Sequence, residues 1–258
     1  MQAIDIVGLL VPVTYLLMFI AERLWPARRF PQRRAWSWLG AGFLVLAGFL
    51  STVVPLMLPA EWLARHRWID GSGLGVAGGA LVGYLVLSAG AFALHRAYHA
   101  VPVLWRLTHQ MHHSPQRVDI PGAFHFHPVE MVLQILLQLF VTVIVLGLDP
   151  LAAALTGYVA AFYALFQHWN VNTPAWLGYL VQRPEAHCLH HARGVHAYNY
   201  SDFPLWDMLT GTWRNPVRYQ GEVGFDAPAD RRMGAMLAFR DVNEPAYGAG
   251  SLGVTPAR

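Results

Sequence analysis

The chain has 258 residues and is 55% hydrophobic, yet Asp, Glu, Lys and Arg make up only 13% of it, about half of the roughly 25% usual in a soluble domain. That charge is too sparse to coat a water-soluble surface, so lipid is expected to be part of the solvent. The net charge of +3 comes without a run of basic residues interleaved with aromatics, which argues against nucleic-acid binding. A single cysteine excludes an intrachain disulfide framework and a four-cysteine metal site.

In chain order, uncharged apolar runs occupy residues 6–21, 35–60, 73–94, 131–148 and 150–167. A helix needs about 20 residues to cross the hydrocarbon and roughly 17 at the least. The second and third runs are comfortable spans, and the other three are near the short limit. The fold class predicted is therefore an all-α integral membrane protein with four to five transmembrane helices. Residues 2–21 do not read as a cleaved signal peptide, because no basic segment precedes the apolar run. GSGLGVAGG at 71–79 opens an apolar run with no strand before it, so it is read as the start of a span rather than a dinucleotide-binding loop.

The loop between the first two runs, RLWPARRFPQRR (23–34), holds Arg23, Arg28, Arg29, Arg33 and Arg34. The positive-inside rule puts this loop in the cytoplasm. Following the spans from there brings the chain back to the cytoplasmic side at His95, and again after a hairpin turned by LDP at 148–150. Every histidine except His66 then falls on that side, an outcome that did not use the histidines as input. A cytoplasmic-side helical cap carrying the histidine motifs is expected. Three divisions follow: residues 1–72 with the first spans and the basic loop, 73–215 with the histidine blocks, and 216–258 as a cytoplasmic tail. MGAMLAFR (233–240) is the tail's one stretch with helical character.

The histidines recur at helical spacing. HRAYH sets His95 and His99 four residues apart, on one helix face. HQMHH (109–113) and HCLHH (187–191) share the pattern HxxHH, with Pro115 marking an end and Pro184 a helix start. His168 closes the fifth span. Imidazole suits iron, zinc, copper or nickel, and one tetrahedral zinc takes four ligands. Eight or nine imidazoles exceed that number and suit two metals. Spacing alone does not separate iron from zinc.

Taken together, HRAYH, HQMHH, HPVE (127–130), FQHWN (166–170), HCLHH, NY (199–200) and WDMLTGT (206–212) make the chain resemble the fatty acid hydroxylase / sterol desaturase superfamily of membrane di-iron oxygenases. The likeness covers roughly residues 80–215. It implies two iron ions as cofactors and O2 as co-substrate. It also implies a hydrophobic lipid substrate drawn from the bilayer and a separate cytochrome b5- or ferredoxin-like donor with its reductase. The ligands it implies are His95, His99, His109, His112, His113, His168, His187, His190 and His191. Some members have a further HxxxH where this chain has His168 followed by Asn172, and His196 is the candidate to supply that imidazole. His125, His127, Glu130, Asn170, Asn172 and Asp207 are candidates for supporting the ligands or lining the access route, with His127 expected either to orient Glu130 or to line that route. Cys188 is read as a small buried residue and Met111 as packing. No stretch reads as a fused electron donor. Two competing readings stand beside this one. A zinc-dependent membrane hydrolase would lack the usual HExxH block, and a metal transporter would be expected to hold its ligands near mid-bilayer.

Overall fold

A computed structural model describes residues 2–242. The described chain is helical, and its one β-type pairing is an isolated antiparallel bridge between Ala192 and Val223. Among the described residues, five helical segments are long and apolar enough to cross a membrane. They are α1 (Ala3–Leu24), α2 (Trp36–Leu56), a span over 71–100 whose main helix is α4 (Gly75–Ala100), a span over 128–145 whose main helix is α7 (Pro128–Leu139), and α8 (Pro150–His168). The short α3 (Ala60–Arg65) lies between α2 and α4. The first helix extends beyond the uncharged run at both ends, because Asp5 caps it by accepting the Gln2 N–H and Arg23 sits in its last turn. Leu16, Leu17, Trp38, Val45 and Leu56 face outward from α1 and α2, an apolar surface that water would not tolerate but acyl chains do.

Packing between spans uses small residues, as close helix approach in lipid requires. α4 meets α8 where Gly79 faces Ala152 and Gly83 faces Thr156, and a side chain at either glycine would collide with its partner. α8 starts from Asp149, whose carboxylate accepts the Leu151 and Ala152 N–H groups while Pro150 fills the first helical position. The turn before it needs Gly147, at φ +53 with the Ile69 carbonyl against it. The 66–71 loop docks here, through Trp68 N–H to Ile144 O and Gly71 N–H to Leu146 O. His66 therefore sits at the end of the bundle remote from the other histidines.

At the opposite end, the arginine loop folds onto the end of α8. Asn170 accepts the Arg28 N–H through Oδ1 and donates through Nδ2 to the Arg28 carbonyl. Glu22, buried at the end of α1, accepts N–H groups from Ile120 and Asn170. Asp119 accepts the indole N–H of Trp36 and is paired with Arg117. The basic loop and the histidine blocks thus share one end of the bundle.

Of residues 216–258, expected as a tail, the stretch 216–242 is packed into that end, and 243–258 lie outside the described residues. Phe225, Met236 and Val242 are buried in one cluster with Trp105, Met111, Phe126 and Met131. Gln110 donates to the Arg240 carbonyl and Gln116 to the Phe225 carbonyl. The helical character read at 233–240 appears as the short α11 (Met233–Leu237).

Candidate metal centre

The last two turns of α4 present His95 and His99. After a single turn, α5 (Pro102–Leu104), the chain winds as a π-turn from Trp105 to His109, with Gln110 N–H reaching back to the Trp105 carbonyl. It resumes as α6 (Gln110–His113). The sequence pattern anticipates a plain α-helix here. The extra residue of a π-turn shifts the facing of everything after it, and such turns concentrate at functional sites. His168 ends α8, while His187 and His190 lie on α9 (Pro184–His190) with His191 at its C-cap.

These elements bring nine histidines into two adjoining groups. His95, His99, His109, His113 and His190 place one nitrogen each within 4.8 Å of one another, and His112, His168, His187 and His191 do the same. In the first group, His109 Nε2 lies 2.9 Å from His95 Nε2 and 3.1 Å from His113 Nε2. In the second, His187 Nε2 lies 3.2 Å from His168 Nε2 and 3.0 Å from His191 Nε2. The His113 and His191 rings stack at 4.1 Å and join the groups.

The outward nitrogens decide which tautomers these rings adopt. His95 Nδ1–H donates to the Tyr200 carbonyl, His190 Nδ1–H to that of Tyr198, and His168 Nδ1–H to that of Ala164. His109 Nδ1–H donates to Glu130 Oε1 at 2.7 Å. A neutral imidazole has one N–H, so the inward Nε2 atoms of these rings are bare lone pairs. Several lone pairs about 3 Å apart, and His190 Nε2 buried with no hydrogen-bond partner, make a donor set that a cation satisfies and protein groups do not. Burial holds His109, His112, His113, His187, His190 and His191 well below the ordinary imidazole pKa. They are neutral at physiological pH, as ligands must be.

The remaining candidates fall elsewhere. His196 is outside both groups, with its Nδ1 3.1 Å from His113 Nδ1. His125 donates to the Met111 carbonyl and packs against Trp36 and Phe43. His127 does not orient Glu130. Its Nδ1 accepts the Val129 N–H and caps α7, which leaves Glu130 to His109. Asn170 brackets the arginine loop, and Asn172 lines a small cleft beside it with Cys188 and Arg218. Cys188 packs among Phe30, Val118 and Val223, and burial pushes its thiol up to about 12, so it is not a thiolate. Met111 is fully buried in the core.

Asp207, on α10 (Leu205–Thr210), acts one step back from the rings. It accepts the N–H groups of Tyr200 and Ser201 and the Thr212 hydroxyl, which fixes the loop whose carbonyls receive His95 and His190. Backbone φ is positive at His196, Tyr198 and Asn199, a conformation sparsely populated by non-glycine residues. The Asn199 side chain holds it there, donating to the Ala186 carbonyl and accepting from Arg214 N–H. One organising residue left no signal in the pattern. Arg183, fully buried before Pro184, donates to the Thr173 hydroxyl and carbonyl, Asn215 and Pro216, and pairs with Glu185 at 3.0 Å. It anchors the start of α9, and an arginine before a proline carries no signature of that task.

Apolar spans ending in two buried sets of imidazoles define a class of protein: integral membrane oxidoreductases with a histidine-held di-iron centre that use O2 on lipids. The chain belongs to the fatty acid hydroxylase family, whose profile matches residues 80–212. It is 28% identical over 244 residues to an ornithine lipid hydroxylase of Rhizobium tropici, covering 87% of this chain and 72% of that one. It is 31% identical over 160 residues to a very-long-chain aldehyde decarbonylase of Oryza sativa subsp. japonica, covering 57% and 59%. It is 27% identical over 151 residues to sphinganine C4-monooxygenase 1 of Arabidopsis thaliana, covering 55% and 57%. The alignments span less than two thirds of those two plant proteins. No solved structure matches the chain.

Proposed function

We propose that this protein hydroxylates an unactivated C–H bond on the alkyl chain of a polar-headed membrane lipid. The observation that carries the reading is the placement of two converging imidazole sets at one end of five apolar helices long enough to cross a membrane. His95, His99, His109, His113 and His190 would hold one iron, and His112, His168, His187 and His191 the other. Irons held there supply the reduction of O2 and the cleavage of an unactivated C–H bond, chemistry that side chains alone do not perform. The polypeptide holds the rings in register through the carbonyls of Tyr198, Tyr200 and Ala164. It excludes water with Trp105, Met111 and Phe126, all buried. Hydroxylation rather than desaturation is favoured by relatives named as an ornithine lipid hydroxylase and a sphinganine monooxygenase.

Electrons come from a separate cytochrome b5- or ferredoxin-like donor with its reductase. The arginine loop shares the histidine end of the bundle, and the positive-inside rule places that end in the cytoplasm. Residues 73–215 form the catalytic unit, to which 216–242 add a lid of buried side chains. Membranes from cells with and without the protein, supplied with ¹⁸O2 and compared by lipid mass spectrometry, test the reading. A lipid gaining one labelled oxygen supports hydroxylation. An unlabelled new alkene replaces it with desaturation, and no O2-dependent product with a competent donor present overturns it.

A further inference from the structure

We infer that the two imidazole groups are unequal metal positions: the five-histidine position is preorganised and retains its ion, while the four-histidine position exchanges. This rests on the two-metal reading above. The observation is the distribution of partners on the nitrogens that face away from each group. In the five-histidine group, His95 donates to the Tyr200 carbonyl, His190 to the Tyr198 carbonyl and His109 to Glu130, while His113 Nδ1 meets His196 Nδ1. Only His99 lacks such a partner among the described residues. In the four-histidine group, among the described residues, His168 alone has one, the Ala164 carbonyl. His187 Nδ1 is buried with no partner although its Nε2 faces His168 and His191, and His112 Nδ1 is likewise buried and unpaired.

A second hydrogen bond on a ligating imidazole fixes the ring's orientation and raises its basicity, and losing one costs about 10–100-fold in metal affinity. The five-histidine position holds four of these supports and the four-histidine position one. Charge points the same way. Glu130 is fully buried and, among the described residues, its side chain hydrogen-bonds to His109 and Gln134 through Oε1, with Oε2 unpaired. A carboxylate removed from water needs a cation nearby, and the position adjoining His109 is where an ion meets that need. Among the described residues, no carboxylate is hydrogen-bonded to a ring of the four-histidine group. Glu130 is therefore a positioning residue: it acts on the metal through His109 and has no contact with substrate.

The test is iron release from the purified full chain in lipid nanodiscs, loaded with ferrous iron and followed by the absorbance of a ferrous chelator. Two irons per chain should leave in two phases of equal size. Glu130→Gln, which keeps the shape of the side chain and removes its charge, should accelerate the slow phase about 10–100-fold and leave the fast phase unchanged. His196→Gln, at a half-buried loop position, should accelerate the same slow phase and supplies the readout if Glu130→Gln does not fold. A single release phase in the unsubstituted protein overturns the inference, as does acceleration of the fast phase by either variant. Loading of fewer than two irons overturns the two-metal reading itself, a different result from two irons leaving together.

Discussion

Arg183→Lys is the most demanding test of how the site is built. The guanidinium is fully buried, and its three nitrogens reach the Thr173 hydroxyl and carbonyl, the Asn215 side chain, the Pro216 carbonyl and Glu185 at 2.7–3.0 Å. A lysine keeps the charge but offers three N–H groups from one point, so at least two of those five acceptors lose their donor. A hydrogen bond to a charged group contributes about 1.5–3 kcal/mol, and a buried group left unpaired costs about 1–3 kcal/mol. The expected loss is about 3–5 kcal/mol, the range also found when a buried ion pair is broken. At roughly 2–4 °C per kcal/mol for a chain of this size, the melting midpoint in detergent should fall by about 6–20 °C. The damage should reach the metals, because α9 begins at the next residue and carries His187 and His190, with His191 at its C-cap. Iron content after purification should therefore drop along with the midpoint. A midpoint within about 2 °C of the unsubstituted protein, with iron content unchanged, would refute the role given to Arg183.

Stability should also depend on pH when the metal is stripped. Six of the site histidines are held below their ordinary values by burial, whereas in the unfolded chain they titrate near 6.5. Below about that pH the unfolded chain binds more protons than the folded one, so stability is complete above about 6.5 and declines as pH falls. A melting midpoint that stays flat between pH 8 and 5.5 in chelator would contradict this. Cys188→Ala should leave iron content unchanged and cost about 1 kcal/mol of packing, since the thiol touches Phe30, Val118 and Val223 rather than the rings. Loss of an iron would show it to be a ligand.

The spans were legible because hydrocarbon demands long uncharged runs, and the histidine blocks because ligand spacing on a helix is regular. The sorting of rings between the two groups was also latent in the spacing. At about 100° per residue, positions i and i+4 lie on one face while i+3 lies to the other side. Hence His109 and His113 join one group and His112 the other, and His187 and His191 separate from His190 in the same way. The supporting contacts were not legible. The carbonyls of Tyr198, Tyr200 and Ala164 accept through the backbone, which has no residue signature. Glu130 is paired with His109, 21 positions away, rather than with its near neighbour His127, because His127 is committed to capping α7. The burial of Phe225 and Met236 depends on a surface made by Trp105 and Met111, and a stretch rich in Gly, Pro and Ala does not announce that destination.

The packing of residues 216–242 over the first HxxHH block also bears on biosynthesis. The spans enter the membrane in order as the chain is made, and His191, the last of the nine clustered histidines, is followed by another fifty or so residues before Val242. Phe225, Met236 and Val242 pack in one cluster with Trp105 and Met111, beside His99 and His113, so part of the wall around the histidines is supplied by residues that follow all nine of them in the chain.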